Sequence, residues 1–324
     1  MIHQRMLLVI SAIGLVAGSM TGMAAGFPKK DITIVIPNRP GGGFDVYARA
    51  TARYMQKYLP NKVNVIPKNM TGAGGRKGTT AVYRSKPDGY TFVILNVPGI
   101  VIPQILGQKV SYDISKMSFI GRIGNDKYAI VVRKNSPFKS VADLQNATAP
   151  IRFVALSPGM TQYVASKISL SALGIKSDDV SGYRGIRGML VALIRGDGDA
   201  GVTAIGTALP FIESGDVVPL ASFGPKDMLS GVPTAKDIGN ANLGYLGLER
   251  VLAGPPGVPE KTRKILESAV EKAVKSSEMI AWAKETKRSL NWADGAESKR
   301  IVEGATKFYL GYKQYLGKKK KKKK

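Results

Sequence analysis

Cysteine is absent from the 324 residues, and histidine occurs once, as His3. The first absence excludes disulfides, thiolate metal sites and cysteine nucleophiles. It also excludes the lipid-bearing cysteine by which many exported proteins are tethered. The second matters because His3 lies in a segment that reads as a removable leader. Without histidine, the remaining chain can build neither a Ser-His-Asp triad nor a histidine-ligated zinc site. Histidine is also the commonest general acid or base. Catalysis would then need carboxylate pairs, a tuned lysine or Ser-Lys chemistry, and none has a local signature here. No cofactor and no metal are expected.

Apolar runs long enough to span a bilayer are missing as well. The stretch MLLVISAIGLV holds 11 residues, against about 20 needed for a span. Preceded by Arg5 and followed by the small-residue segment GSMTGMAAG, it reads as a secretory signal over residues 1–26, cleaved near Gly26. The expected product is a freely diffusing periplasmic protein without a lipid anchor. Acidic residues are scarce too: 23 Asp plus Glu stand against 48 Lys plus Arg, for a formal net charge of +25. Lys318–Lys324 supply seven of those charges, and such a run reads as a disordered, solvated tail over 318–324. The rest is a basic surface that favours encounter with anions. An exported protein meets little nucleic acid, and none is expected as partner.

What is present is an alternation of β-rich and helical segments. Strands are expected at 32–36, 63–66, 90–95, 128–133, 151–156, 200–205 and 217–223, with helices between them. The run GLERVLAG reads as one more extended segment. After it, Ile265, Leu266, Ala269, Val270, Ala273 and Val274 form one helical stripe, and helices near 278–286 and 296–316 follow. The pattern is that of an α/β protein with an open, mostly parallel sheet.

Four polar, small-residue loops open helices after strands: PGGGFD (40–45), TGAGGRKGTT (71–80), SPGMT (157–161) and IGTALP (205–210). In open α/β sheets ligands sit beyond the carboxyl ends of the strands. Glycines let backbone N–H groups approach an anion there. Each loop alone is equally well read as a tight turn with a capped helix, Asp45 being a candidate cap. Their number, from both halves of the chain, points to a cleft presenting N–H groups and hydroxyls from two sides. A dehydrogenase reading of the second loop fails its TGxxxGxG spacing at Arg76, although Tyr163 and Lys167 make a YxxxK pair. A P-loop reading fails because Gly78 follows Lys77.

The order of motifs resembles the periplasmic receptors of tripartite tricarboxylate transporters, the Bug-type family. The resemblance runs from Phe27 to Leu316 through FPKKDITIVIPNRPGGGFD, GAGGRKG and KPDGYTFVIL. It continues through YDISKMSFIGRIGNDKYAIVVRKNSPFKSVADL, the Tyr183-Arg184-Gly185 step, ALPFIESGDVVPLASF, GVPTAKDIG and VLAGPPGVPEKT. It implies a type II periplasmic-binding-protein fold, in which two α/β lobes flank a ligand cleft and two crossing strands join them. Residues 27–127 plus 251–317 would form lobe 1 and residues 128–250 lobe 2. It implies a monomeric receptor that closes on a small organic carboxylate and delivers it to a membrane permease. The family's ligand loops match Gly41, Gly42, Gly43, Phe44 and Asp45, then Asn96 and Val97, then Ser157, Gly159 and Thr161, then Thr207. Asn38, Phe44 and Arg76 depart from the family's usual residues. Phe44 could stack on a ligand body or merely fill the wall, and Arg39, Arg76 and Arg184 are candidate partners for ligand carboxylates. Two other readings are carried forward: a nicotinamide-dependent enzyme and a basic exported surface-binding protein.

Overall fold

The computed structural model describes residues 26–157, 160–183, 185–226 and 228–316. The expected signal (save Gly26), the lysine tail, Gly159 and Arg184 lie outside the described residues.

The chain opens with β1 (Ile32–Ile36), α1 (Gly43–Met55), β2 (Val65–Asn69), α2 (Arg76–Tyr83), β3 (Thr91–Val97) and α3 (Ile102–Ile105). Strand β4 (Ser118–Arg133) is followed by α4 (Val141–Gln145), β5 (Ile151–Leu156), α5 (Thr161–Ala172), β6 (Ser177–Tyr183) and α6 (Ile186–Arg195). Then come β7 (Ala200–Ala204), α7 (Ile205–Glu213), β8 (Val217–Ser222) and β9 (Gly247–Gly254). The chain ends with α8 (Glu260–Val274), α9 (Ser277–Glu285), β10 (Ala293–Asp294), α10 (Gly295–Gly311) and α11 (Lys313–Leu316).

The strands run in the order β2-β1-β3-β9-β4-β7-β5-β6, with β8 and β10 also paired to β4. Strand β4 is the joint. Its residues Ser118–Lys127 pair with β9, whereas Tyr128–Arg133 pair with β7 and β8. The expected strand at 128–133 is therefore only the second half of a longer one. Gly121 and Gly124 flank register shifts in the first half, and these breaks weakened its strand pattern in the sequence. Strand β6 was not expected at all. Its residues, SDDVSGY, are polar and largely exposed because it forms an edge of the sheet.

Side-chain alternation distributes each strand between two layers. In β1, Ile32, Ile34 and Ile36 face the helices α1, α8 and α9, while Val35 joins the core under α2 and α3. In β5, Val154 and Leu156 pack toward α6 and α7, and Ile151 and Phe153 pack toward α5. The α2–α3 side of the first lobe and the α5 side of the second share one continuous core, to which Val302, Ala305 and Tyr309 of α10 contribute. Helix α11 rests against α5, where Ser171 Oγ donates to the Tyr315 hydroxyl at 2.6 Å. Two α/β lobes thus stand side by side, bridged by β4, the return through Leu246 into β9, and the carboxyl-terminal helices. No helix among the described residues is long and apolar enough to cross a membrane.

Candidate functional site

β1 and β3 are parallel neighbours, so the loops after them leave the same edge of the first lobe. Gly41 has φ +76°, a left-handed conformation that glycine adopts without a Cβ penalty. This turn aims its N–H at the Asp45 carboxylate, which accepts it at 2.9 Å. The same carboxylate accepts Arg49 Nε at 2.9 Å and Asn69 Nδ2 at 2.8 Å, and Asn69 also donates to the Asn38 carbonyl. Asp45 is 3% exposed. Burial alone would raise its carboxyl, but the bonds from Arg49, Gly41 and Asn69 bring it down to about 2. Asp45 therefore stays ionised and ties the glycine loop to β2. It does not cap α1, whose N-cap is Gly42, without a side-chain bond.

The second lobe repeats the arrangement with β5 and β7, also parallel neighbours. Buried Gln162 pins the start of α5: its Oε1 accepts the Leu156 N–H at 2.8 Å, and its Nε2 donates to the Val202 carbonyl and to Ser166. That clamp fixes the start of α5 against the ends of β5 and β7, and α7, which carries Thr207, follows β7 directly.

The helix openings of the two lobes share one property. The N-caps of α1, α5, α6 and α7 are Gly42, Met160, Gly185 and Ala204, and none makes a side-chain cap bond; nor do Gly75, Val101 and Pro259 before α2, α3 and α8. By contrast α4, α9 and α10 are capped by Ser140, Ser276 and Asp294. First-turn N–H groups lacking a cap are open donors at the positive end of a helix dipole, a setting that favours anions.

A cavity of about 430 Å³ lies between the lobes. Tyr47 and Arg288 line it from the first lobe, Arg187, Gly206 and Thr207 from the second, and Arg250 and Asp126 from the crossing strands β9 and β4. Arg250 is 4% exposed. Its Nη2 donates to Asp126, while Nε and Nη1 are buried without a partner. Its guanidinium lies 4.2 Å from the centre of the Tyr47 ring and 5.2 Å from that of Phe44. On β9 it stands opposite Asn96 of β3, whose Oδ1 is also buried and unpaired. Phe44 is buried and serves as a floor for Arg250. Tyr47 donates its hydroxyl to the Ser289 carbonyl at 2.8 Å; burial pushes the phenol up to about 12, so it remains neutral.

Arg250 was not anticipated, although a signal existed. Glu249 and Arg250 interrupt the otherwise apolar run GLERVLAG, and a charged pair inside a strand expected to be buried marks a polar interior. The three arginines singled out from sequence behave differently. Arg39 is exposed. Arg76 is engaged within its own lobe, donating to the Ala73 carbonyl and to Gln108 Oε1. Arg184 lies outside the described residues. Of the expected ligand residues, Thr207 lines the cavity and Gly43 lies beside Arg250 Nη2. Asn96 adjoins through the strand pair, Val97 is fully buried, and Ser157 and Thr161 are half-buried, just after β5 and at the first position of α5. The YxxxK pair is accounted for differently. Tyr163 and Lys167 both bind the Asp179 carboxylate of β6, at 2.8 and 2.9 Å. Among the described residues no group of His, Cys, Asp and Glu is arranged to hold a metal ion.

Comparison with known proteins agrees with this architecture. Residues 47–301 match the model of the tripartite tricarboxylate transporter family receptor. A protein encoded in the TAR-I ttuE–ttuC′ intergenic region of Agrobacterium vitis is 30% identical over 262 residues, 78% of this chain and 74% of that protein. The crystal structure of a TctC solute-binding protein from Polaromonas superposes with a TM-score of 0.80 at 24% identity, covering 88% of this chain and 98% of that one. A Rhodopseudomonas palustris protein solved with adipate gives 0.66 at 23% identity, covering 90% and 99%. The chain belongs to the tripartite tricarboxylate transporter receptor family, whose members are periplasmic solute-binding proteins of transport and not enzymes.

Proposed function

We propose that this protein is an extracytoplasmic receptor that binds a small organic carboxylate and hands it to a permease of the tripartite type. The ligand class comprises di- and tricarboxylates and aromatic acids. The observation that carries this reading is the cavity lined by the uncapped opening of α7 at Gly206 and Thr207 and by Arg250, two of whose nitrogens are buried without a partner. A carboxylate entering from solvent would complete first-turn N–H groups of the kind that Ser140, Ser276 and Asp294 complete at α4, α9 and α10. The family membership and the adipate held by the R. palustris relative support the same class. The residues proposed to face the ligand are Gly41–Asp45, Asn96, Val97, Ser157, Gly159, Thr161 and Thr207. Asp45 acts through the loop, since its carboxylate is fully engaged.

The lobes are residues 27–127 plus 251–317 and residues 128–250, closing by a hinge motion about β4 and the entry into β9. The working form in this reading is a periplasmic monomer freed of residues 1–26.

The test is a thermal-shift panel on residues 27–317, unfolded and refolded to strip bound solute. The panel spans di- and tricarboxylates, aromatic acids, amino acids and nicotinamide nucleotides. A ligand at about 100 times its Kd stabilises by roughly 2.7 kcal/mol, a shift of several degrees. A response confined to related carboxylates is expected. A response to nucleotides alone, or to no carboxylate, would overturn the reading.

A further inference from the structure

We propose that Arg250 is the specificity-determining residue of this cleft. In this view it forms, with Arg288, a second anion subsite that selects ligands carrying a second acidic group. The inference rests on the receptor reading above and deepens it: backbone donors at the helix openings would hold one carboxylate, and side-chain cations the other.

The first argument is an unmet demand. Arg250 is almost wholly buried, yet only one of its three nitrogens has a partner. Buried guanidinium N–H groups rarely stay unpaired, because their desolvation is uncompensated. Arg288 repeats the situation, with Nε buried and unpaired. The second argument is placement. Both guanidiniums lie over the Tyr47 ring, at 4.2 and 5.6 Å from its centre, and the ring is anchored by its bond to Ser289. Two like charges at one aromatic post repel each other, and an anion between them would relieve both. The third argument is the charge of the cavity wall: Arg187, Arg250 and Arg288 face only Asp126 and Glu285, with Lys287 paired to Glu213 beside them. Such a wall suits a doubly charged ligand better than a singly charged one. The volume of about 430 Å³ admits a linear or aromatic diacid.

Asp126 has a specific part. Its carboxylate binds Arg250 Nη2 on one side and lies close to Gly206 at the opening of α7 on the other. It occupies, from within the chain, the position between cation and helix terminus that a ligand anion would favour. It therefore competes with the second acidic group.

The experiment measures calorimetric Kd values for matched pairs: butyrate and succinate, hexanoate and adipate, benzoate and terephthalate. The full mature chain is compared with Arg250→Gln, Arg288→Gln and Asp126→Asn. In the parent, the diacid of at least one pair should bind more tightly by about 10–100-fold, the range for one or two charge-assisted bonds. Arg250→Gln should collapse that ratio at least tenfold, Arg288→Gln should lower it less, and Asp126→Asn should raise diacid affinity. A merely structural Arg250–Asp126 pair would instead weaken diacid binding in both variants. Equal affinity for acid and diacid in the parent, or an unchanged ratio in Arg250→Gln, overturns the subsite while the receptor stands. Should Arg250→Gln fail to fold, weakened adipate binding by Asp126→Asn overturns it equally. Binding of no acid by the parent would remove the receptor reading, and the subsite with it.

Discussion

Replacing Asp45 by Asn isolates the tether of the glycine loop. The carboxylate accepts three hydrogen bonds, from Gly41, Arg49 and Asn69. Asparagine keeps the shape but loses the charge, and its amide must turn one N–H toward a donor. The carboxyl is held at about 2 against its ordinary 3.8, a gap equivalent to about 2 kcal/mol. The sign follows from the direction of that shift. In the unfolded chain Asp45 takes up its proton near its ordinary value, whereas the folded chain resists protonation until about 2. The contribution is therefore fully present above about pH 4 and fades as the pH falls toward 2. Urea unfolding of parent and Asp45→Asn should differ by about 2 kcal/mol near neutrality, and the two should converge near pH 2. Acid affinity should fall as well, since the loop that presents Gly42 and Gly43 loses its fastening. A stability gap that is absent at neutrality, or that persists undiminished at pH 2, would refute the assignment of Asp45 as a buried ionised tether.

Three further outcomes are expected. Gln162→Leu leaves the Leu156 N–H and the Val202 carbonyl without their partner in a buried layer. It should destabilise by about 2–4 kcal/mol in denaturant titration, with amide exchange accelerated in the loop before α5. Thr161→Ala, at the first position of α5, should weaken acid binding about 3–10-fold by calorimetry without moving the unfolding midpoint. The exposed Lys287–Glu213 pair joins the segment after α9 to α7 across the cleft at 3.1 Å. Lys287→Ala should change stability by less than about 1 kcal/mol but shift small-angle scattering of the ligand-free protein toward a more open form, an effect that high salt reproduces in the parent.

Much of the fold was legible because its signals are local. The run ITIVI between turn residues reads as a strand, and IRFVAL matches β5 residue for residue, since both are apolar segments buried on two faces. Segments whose character depends on distant neighbours were not legible. The first half of β4 is broken by Gly121 and Gly124, positions where Trp292 and the Ser289 carbonyl leave no room for a Cβ. Nothing near those glycines in the chain announces either contact. β6 carries the polar residues of an edge, so its strand character comes from β5 alone.

The site divides in the same way. The missing cysteines, the lone histidine, the glycine-rich openings and the order of motifs are properties of the chain itself, and they pointed away from familiar catalysis and toward the family. The role of each charged side chain was decided only by folding. Arg39, Arg76 and Arg250 are equal as letters, yet one is exposed, one is spent on Ala73 and Gln108, and one is buried with two open nitrogens. Asp45 and Asp126 are both carboxylates near glycines, yet the first fastens a loop and the second meets a cation brought to it from 124 positions along the chain. Backbone preference and hydrophobic period act over a few residues, so sequence determines them. Burial and charge pairing depend on which strands become neighbours, and only the assembled sheet determines that.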